Sequence, residues 1–329
     1  MPVRYTSPSL GASGSSVITR GEWEIGVVYR WLHADQFYVG GVEQPLNKIP
    51  FFRQVRINNN SIALNVRHAV STRLSVNLGI PFATTSEQRG QDDSLSHRQS
   101  AAGLGDISLV ASMWVFDPVQ HGQWNISAGL GVKAPTGSSA GKATYHLLSG
   151  TEQRFMDPST QLGDGGWGLI AQVEAYHGLF HRASAYIAGS YLANPRGHSN
   201  ATFRSAYGIV PVAVTDEYSA HAGVTYAALP RHGLTISLGG RVDGVPVYDQ
   251  FGGGAESFRR PGYVAYIEPN INWVVARSPF SSKGSTFSIS VPYAVARDRT
   301  RNTLDIANGK HGGGDFAQYL VFIAYSKRL

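Results

Sequence analysis

From Trp23 onward the chain alternates apolar and polar residues with a period of two. Trp23, Ile25, Val27, Tyr29 and Trp31 mark the first run, followed by Ile62, Leu64 and Val66, by Leu74, Val76, Leu78 and Ile80, and by Ile107, Leu109, Ala111, Met113 and Val115. Trp124 to Val132 continues it, then Leu169 to Ala175, Ala185 to Tyr191, Tyr218 to Tyr226, Leu234 to Val242, Ala265 to Trp273, Phe287 to Tyr293 and Tyr319 to Tyr325. A period of two places one face of a strand against an apolar environment and the other against a polar one. The runs approach the ~9–11 residues of a membrane-crossing strand rather than the ~5–6 of a soluble one.

The connections alternate in length as well. Short ones fall at Ser71-Thr72, DPVQHGQ (117–123), HGLFHR (177–182), LPRHG (229–233) and RSPFSSKGS (277–285), and long ones at 33–56, 84–104, 137–162, 193–215, 246–262 and 297–314. A two-sided asymmetry of this kind, with an even strand number, is the signature of an outer-membrane barrel. The predicted fold is therefore all-β: a closed antiparallel transmembrane β-barrel of about 12 strands, with short periplasmic turns and long extracellular loops. Residues 20–329 form the barrel, and residues 1–19 are expected to be an N-terminal periplasmic tail or a plug. Aromatic residues at strand ends, such as Trp23, Trp31, Trp124, Trp273 and Tyr325, suit the headgroup level. Pro81, Pro135, Pro195, Pro246 and Pro292 mark where strand pairing should stop, whereas Pro269 lies inside a good strand and predicts a bulge there.

The glycines of GLGVKAPTG (129–137) imitate a dinucleotide fingerprint, but that turn needs a helix directly after it. Here Trp124 to Ala134 alternates throughout, so the glycines lie inside a strand. Charged residues make up only 15% of the chain, yet mean hydropathy is −0.15, so neither charge nor a long apolar segment dominates. No run long enough for a transmembrane helix exists, while barrels keep near-neutral hydropathy. With no cysteine, thiolate chemistry and disulfides are excluded. The net charge of +6 carries no Lys/Arg block, so no nucleic acid partner is expected, and a basic surface suits anionic lipid. The first residues, MPVRYTSPSLGASGSSVITR, lack the apolar core of a secretory signal; the expectation is a bacterial outer-membrane protein whose leader has been removed. The expected surroundings are outer-membrane lipid and lipopolysaccharide, with the protein acting as a monomer.

Three segments in order, GLGDISL (103–109), GLGVKAPTG (129–137) and DPSTQLGDGGWG (157–168), resemble the bacterial outer-membrane transporter family associated with meta-pathway phenol degradation. The motifs cover the middle third of the chain, and the remainder agrees as a strand-and-loop pattern. The resemblance implies a barrel channel for aromatic or other hydrophobic compounds.

If the apolar positions face lipid, the alternate positions face the lumen. These include Arg30, Asn65, Arg67, Asn77, Asp106, Lys133, Gln172, Glu174, His221, Arg241, Asp243, Glu268 and Asn270, expected to line the solute pathway. Glu22, Glu24, Arg73 and Asn272 fall in the same phase. Mixed signs favour internal ion pairs that constrict a small barrel over a single-sign selectivity field, and these residues can serve the wall as well as a solute. Small inward residues, among them Ser75, Gly79, Ser112, Gly129, Gly223 and Gly239, predict close approach by something else. Loop aromatics, including Tyr38, Phe51, Phe52, Phe203, Tyr207, Phe251 and Phe258, could form an apolar entrance or a closed lid. GSSAG (137–141) matches a nucleophile motif but sits at a loop tip without the strand–turn–helix it requires. The eleven histidines show no metal-ligand spacing. No cofactor or metal is expected, and no enzyme activity. The expected function is passive uptake of small molecules; the alternatives are a barrel-borne lipid hydrolase, which would need a Ser-His-acid cluster at one level of the wall, and a structural or adhesive barrel with a blocked lumen.

Overall fold

A computed structural model describes residues 18–329, apart from 46, 48, 52, 53, 253, 255 and 276–283. The alternating runs form a single wall: β1 (Trp23–Val39), β2 (Val55–Ala69), β3 (Leu74–Gly90), β4 (Ser96–Leu104 continued by Ile107–Trp114), β5 (Trp124–Ala134) and β6 (Gly168–Phe180). It continues through β7 (Ala183–Ala193), β8 (Glu217–Leu229), β9 (Leu234–Val245), β10 (Gly262–Val275), β11 (Ser285–Ser290 continued by Tyr293–Asp298) and β12 (Gly313–Arg328). Neighbours in sequence pair antiparallel, and β12 returns to β1 from Glu24↔Arg328 to Val39↔Gly313, closing the 12-strand barrel. Closure matters because a bilayer offers no partner to an unpaired strand edge.

The faces sort as the alternation requires. Leu130 is 73% exposed and Ile187 57%, whereas the inward Lys133 is 3% and Asp243 5%, so lipid-facing and lumen-facing positions interchange at every residue. Among the described residues no helix is long and apolar enough to cross a membrane. Trp31 meets Tyr319 at 5.4 Å between ring centroids, part of an outer aromatic ring; Trp23, Trp124, Trp273 and Tyr325 are exposed near the opposite strand ends.

Several boundaries differ from the sequence expectation. The segment 84–104 is not a loop: β3 and β4 run past the membrane as a hairpin, from Phe82↔Leu104 to Gly90↔Ser96, because β-prone Thr84, Thr85 and Ser86 continue the ladder in a polar setting. Pairing of β6 with β7 extends to Phe180, so the turn shrinks to His181 and Arg182. The long connections carry elements of their own. Lys142–Leu147 pairs with Gly150–Phe155, His198–Ser205 pairs with Gly208–Ala213, and Thr303–Ala307 forms a short helix, α1, opened by a capping box of Asn302 and Asp305. The tail or plug expected at residues 1–19 lies almost wholly outside the described residues, as do Phe52 and most of the 277–285 turn.

Pro269 makes no bulge in its own strand, which stays in unbroken register with β9 through Leu238↔Pro269. The N and C=O of a strand residue point the same way, and Pro269 O accepts from Val291 N at 3.2 Å, so its missing donor faces β11. There the ladder is interrupted between Ser290 and Tyr293, where Pro292 also lacks a donor. Above that break β11 stays paired with β10 but meets β12 only at Tyr293↔Tyr319, leaving a seam in the outer wall. The side chain of Arg297 bridges it: Nε and Nη2 donate to Ala317 O at 3.3 Å, Nη2 to Gln318 Oε1 at 2.7 Å and Nη1 to the Tyr38 hydroxyl at 3.2 Å.

Candidate functional site: the lumen and its mouth

The lumen is divided lengthwise. Mainly along β1 to β6 and β12, with contributions from Leu192 of β7, Glu217 of β8, Val274 of β10 and the first part of β11, runs a cavity of about 400 Å³, reaching from Glu24, Thr286 and Arg328 at the periplasmic end to Thr85, Gln161 and Leu162 beneath the outer loops. Serine, glycine and alanine at Ser61, Ala63, Gly79, Ser108 and Ser112 keep it open, while Val28, Val110 and Leu192 give it apolar patches. Arg30, Asn65, Arg67, Asn77, Asp106, Lys133, Gln172 and Glu174 all line it. Some of these inward groups are tied to the wall, as in Arg67 Nε donating to Ser75 Oγ at 3.3 Å and Gln172 Nε2 to Ser112 Oγ at 2.7 Å.

The remaining predicted residues, His221, Arg241, Asp243, Glu268 and Asn270, face inward from β8, β9 and β10 but are buried outside that cavity. Their charges are interlocked. Arg241 Nε donates to Asp243 Oδ2 at 2.7 Å and its Nη1 lies 3.8 Å from Glu268 Oε1, which also accepts from Ser290 Oγ at 2.7 Å. The Arg241 guanidinium lies over the Phe322 ring at 4.9 Å. Tyr186 reaches across from β7, its hydroxyl 2.7 and 2.5 Å from where a Cβ of Gly223 or Gly239 would stand, so those glycines make room for a wall residue. Arg73, expected inward, instead closes the β3 turn region by donating to Trp114 O at 2.8 Å and to Val115 O at 2.6 Å.

This network contains a Ser-His-acid sequence of contacts: Ser219 Oγ lies 3.2 Å from His221 Nε2, and His221 Nδ1 lies 2.9 Å from Glu268 Oε2. The hydroxyl proton, however, goes to Asp243 Oδ1 at 2.8 Å, so none is directed at the imidazole for general-base removal. Ser219 is 5% exposed and does not line the lumen cavity, which gives an ester no approach from it.

The loop between β5 and β6 folds over the outer end of the open half, lining it with Gln161, Leu162 and Asp164, and the three motifs of the family resemblance meet there. A one-residue register slip at Gly105 and Asp106 interrupts β4 beside Pro81, whose absent donor costs nothing at a break. Asp106 then turns inward, accepting from Gly137 N at 2.9 Å and from Asp164 N at 3.2 Å. Lys133 pairs with Asp164 and lies 3.6 Å from Asp106. Gly137 and Gly163 permit the crossing, since a Cβ on Gly163 would stand 2.5 Å from Asp106 Oδ1 and 2.6 Å from Gly137 O. The loop is further fixed by Thr85 Oγ1 donating to Thr160 O at 2.5 Å and by Gln161 Oε1 accepting from Gly141 N at 2.9 Å. Sequence reasoning placed Asp106 and Lys133 but missed Gln161, Leu162 and Asp164, which come from a loop that alternation cannot describe.

Above the aromatic ring sits a second charged cluster. Arg260 donates to both oxygens of Asp157 at 2.6 Å, and its guanidinium covers Phe203 and Phe258 at 5.3 and 5.1 Å. Those two rings stack at 4.1 Å and pack under the guanidinium, while Phe251 remains exposed. Burial would raise the Asp157 carboxyl, but the charge of Arg260 overrides it and holds it well below the usual carboxylate range. Glu87 and Asp315 behave oppositely: burial outweighs the attraction of Arg89 and Arg260 respectively, and pushes each up to about 7.

The closed 12-strand antiparallel wall is that of a barrel of the outer-membrane class. In three dimensions the chain is similar to the crystal structure of the COG4313 outer membrane channel from Pseudomonas putida F1, with a TM-score of 0.62, 14% identity and coverage of 95% of this chain and 97% of that one. At this identity the likeness establishes the fold. A Pseudomonas aeruginosa FadL homologue (TM-score 0.48, 9% identity, 96% and 95% covered) and the Pseudomonas putida toluene transporter TodX (0.46, 11%, 98% and 95%) also align along almost the whole chain. At TM-scores below 0.5 neither carries an argument for this chain. No family model matches the sequence, and no curated protein matches it.

Proposed function

We propose that the protein is a channel of the bacterial outer membrane for passive uptake of small molecules, with aromatic or other hydrophobic compounds as its solutes. The observation that carries this reading is the cavity of about 400 Å³ on one side of the lumen, lined by small, polar and apolar residues together. That volume accommodates a single-ring compound, on the scale of ~300–1,000 Å³ for small-molecule sites. Phenols are the first solutes to try because the segments that close the mouth are those resembling the phenol-degradation family. The neighbour in Pseudomonas putida F1 is described as an outer membrane channel, which agrees with this reading. A wall closed by one chain supports action as a monomer in lipid and lipopolysaccharide.

The seam between β11 and β12 favours a particular exit for apolar solutes, sideways into the membrane. An apolar cluster of Leu32, Tyr38, Tyr266, Ala294, Phe316 and Leu320 lies behind it, and Arg297 in place of a strand ladder holds it shut. Single-channel conductance of the purified protein in a planar bilayer, with and without simple phenols, tests the axial reading: steady conductance that phenols reduce supports it. If conductance is absent, uptake of a labelled phenol into vesicles separates lateral passage from a blocked structural barrel, since only the former gives flux, and faster flux in Arg297→Ala.

A further inference from the structure

The outer rim brings together three side chains that the sequence keeps apart. Asp93 sits in the tight turn between β3 and β4, where Ser94 has φ 64°. Its Oδ1 accepts from Leu95 N at 3.0 Å, which fixes the carboxylate and leaves Oδ2 for His97 Nε2 at 2.7 Å. His146 comes from the Lys142–Leu147 strand of the neighbouring loop hairpin and presents Nδ1 at 4.0 Å from the same Oδ2. The two imidazoles are stacked, centroids 3.8 Å apart and planes within 5°, so nitrogen atoms of both rings face one carboxylate. The hairpins are already joined around this point, since His146 N donates to Gln91 Oε1 at 2.5 Å.

We propose that Asp93, His97 and His146 form a site for a borderline divalent transition-metal ion of the zinc, copper or nickel class, which clips the β3–β4 hairpin to the Lys142–Phe155 hairpin. One ligand atom from each residue lies within 4.8 Å of the others. Ligands bound at ~2.0–2.2 Å in a tetrahedron stand about 3.3 Å apart, so rotation of exposed side chains closes the set. Two imidazoles and one carboxylate select that metal class, whereas calcium and magnesium require oxygen-rich cages. With side chains 23% exposed at His97, 27% at Asp93 and 36% at His146, the site is open to the exterior and leaves a fourth position for water. A histidine–aspartate hydrogen bond alone would need only one of the two rings; what points to an ion is that a second imidazole, from another loop, brings a nitrogen within reach of the same carboxylate, and binding requires His146 to tilt out of the parallel stack so that both in-plane lone pairs meet at one point.

The test is calorimetric titration of the tag-free, folded barrel with zinc chloride. One equivalent is expected to bind, and His97→Gln and His146→Gln are each expected to weaken binding by more than about tenfold. His181→Gln, at a turn on the opposite side of the barrel, should leave binding unchanged. Zinc should also slow tryptic cleavage at Lys142 and Arg154 in the native chain and not in either variant, a readout independent of stoichiometry. Absence of zinc binding, or binding that survives both substitutions, would overturn the site; neither result bears on whether the lumen conducts.

Discussion

The two sides of the lumen share one alternation and differ in what fills them. From β1 to β6 the inward positions are mostly serine, glycine, alanine and asparagine, and a cavity remains. From β7 to β10 the same phase carries Tyr186, His221, Arg241, Asp243 and Glu268, whose side chains reach one another and leave no room. A barrel wall of this size therefore encodes a passage by side-chain volume and charge pairing, not by strand number. Buried charges in the filled side are each held by an opposite partner, so they act as a unit.

Breaking that unit should give the largest effect. Arg241→Met leaves Asp243 and Glu268 buried without their cation and is expected to lower unfolding free energy by about 3–5 kcal/mol, measured by urea denaturation in lipid vesicles. Conductance should change little, because Arg241 does not line the open side. Lys133→Met breaks the comparison from the other side. It removes the cation between Asp106 and Asp164, costs about 3 kcal/mol for a buried pair and should raise conductance by freeing the loop over the mouth. Sharpening rather than breaking, Ala63→Phe inserts bulk into the open side. Conductance should fall while stability shifts by less than about 1 kcal/mol, since the added ring occupies empty lumen rather than a filled core.

The smallest effect belongs to the outer cluster. Asp315 is pushed up to about 7, above its unfolded value, so its protonated form is favoured by folding. That contribution is complete below the unfolded carboxylate range and disappears as pH rises through about 7. Melting temperature should therefore drop between about pH 5 and pH 8, and Asp315→Asn should flatten the drop, with Glu87 supplying what slope remains. Asp157, held low by Arg260, acts in the reverse sense and only at strongly acid pH.

The wall was legible from the sequence because a two-residue period survives any change of side chain that keeps its polarity. Strand order, the lipid face at Leu130 or Ile187 and the inward phase of Arg30 or Glu268 follow from it directly. Where Pro269 acts was not legible, since which neighbour a proline deprives depends on the register of both adjacent strands. The division of the lumen was equally hidden: Gln172 and His221 occupy equivalent phases, and only their distance from other long side chains decides which one borders space. Gln161, Leu162 and Asp164 were missed because a loop that folds inward leaves no periodic trace, although the glycines at 137 and 163 mark where two backbones cross. Likewise the stacked histidines at 97 and 146 meet through loop packing that no spacing rule could reveal.

The meeting of Asp106, Lys133 and Asp164 also constrains how the chain can evolve. Each comes from a different stretch, a strand interruption, a strand end and a loop, yet Lys133 cannot drift singly without stranding two buried carboxylates, and both aspartates cannot go without stranding Lys133. Descendants of this protein should keep the lysine with at least one aspartate or lose all three together. Lineages that lose them would inherit an unlatched mouth, so the covariation of three scattered positions would record, across a family tree, which barrels stayed shut and which opened.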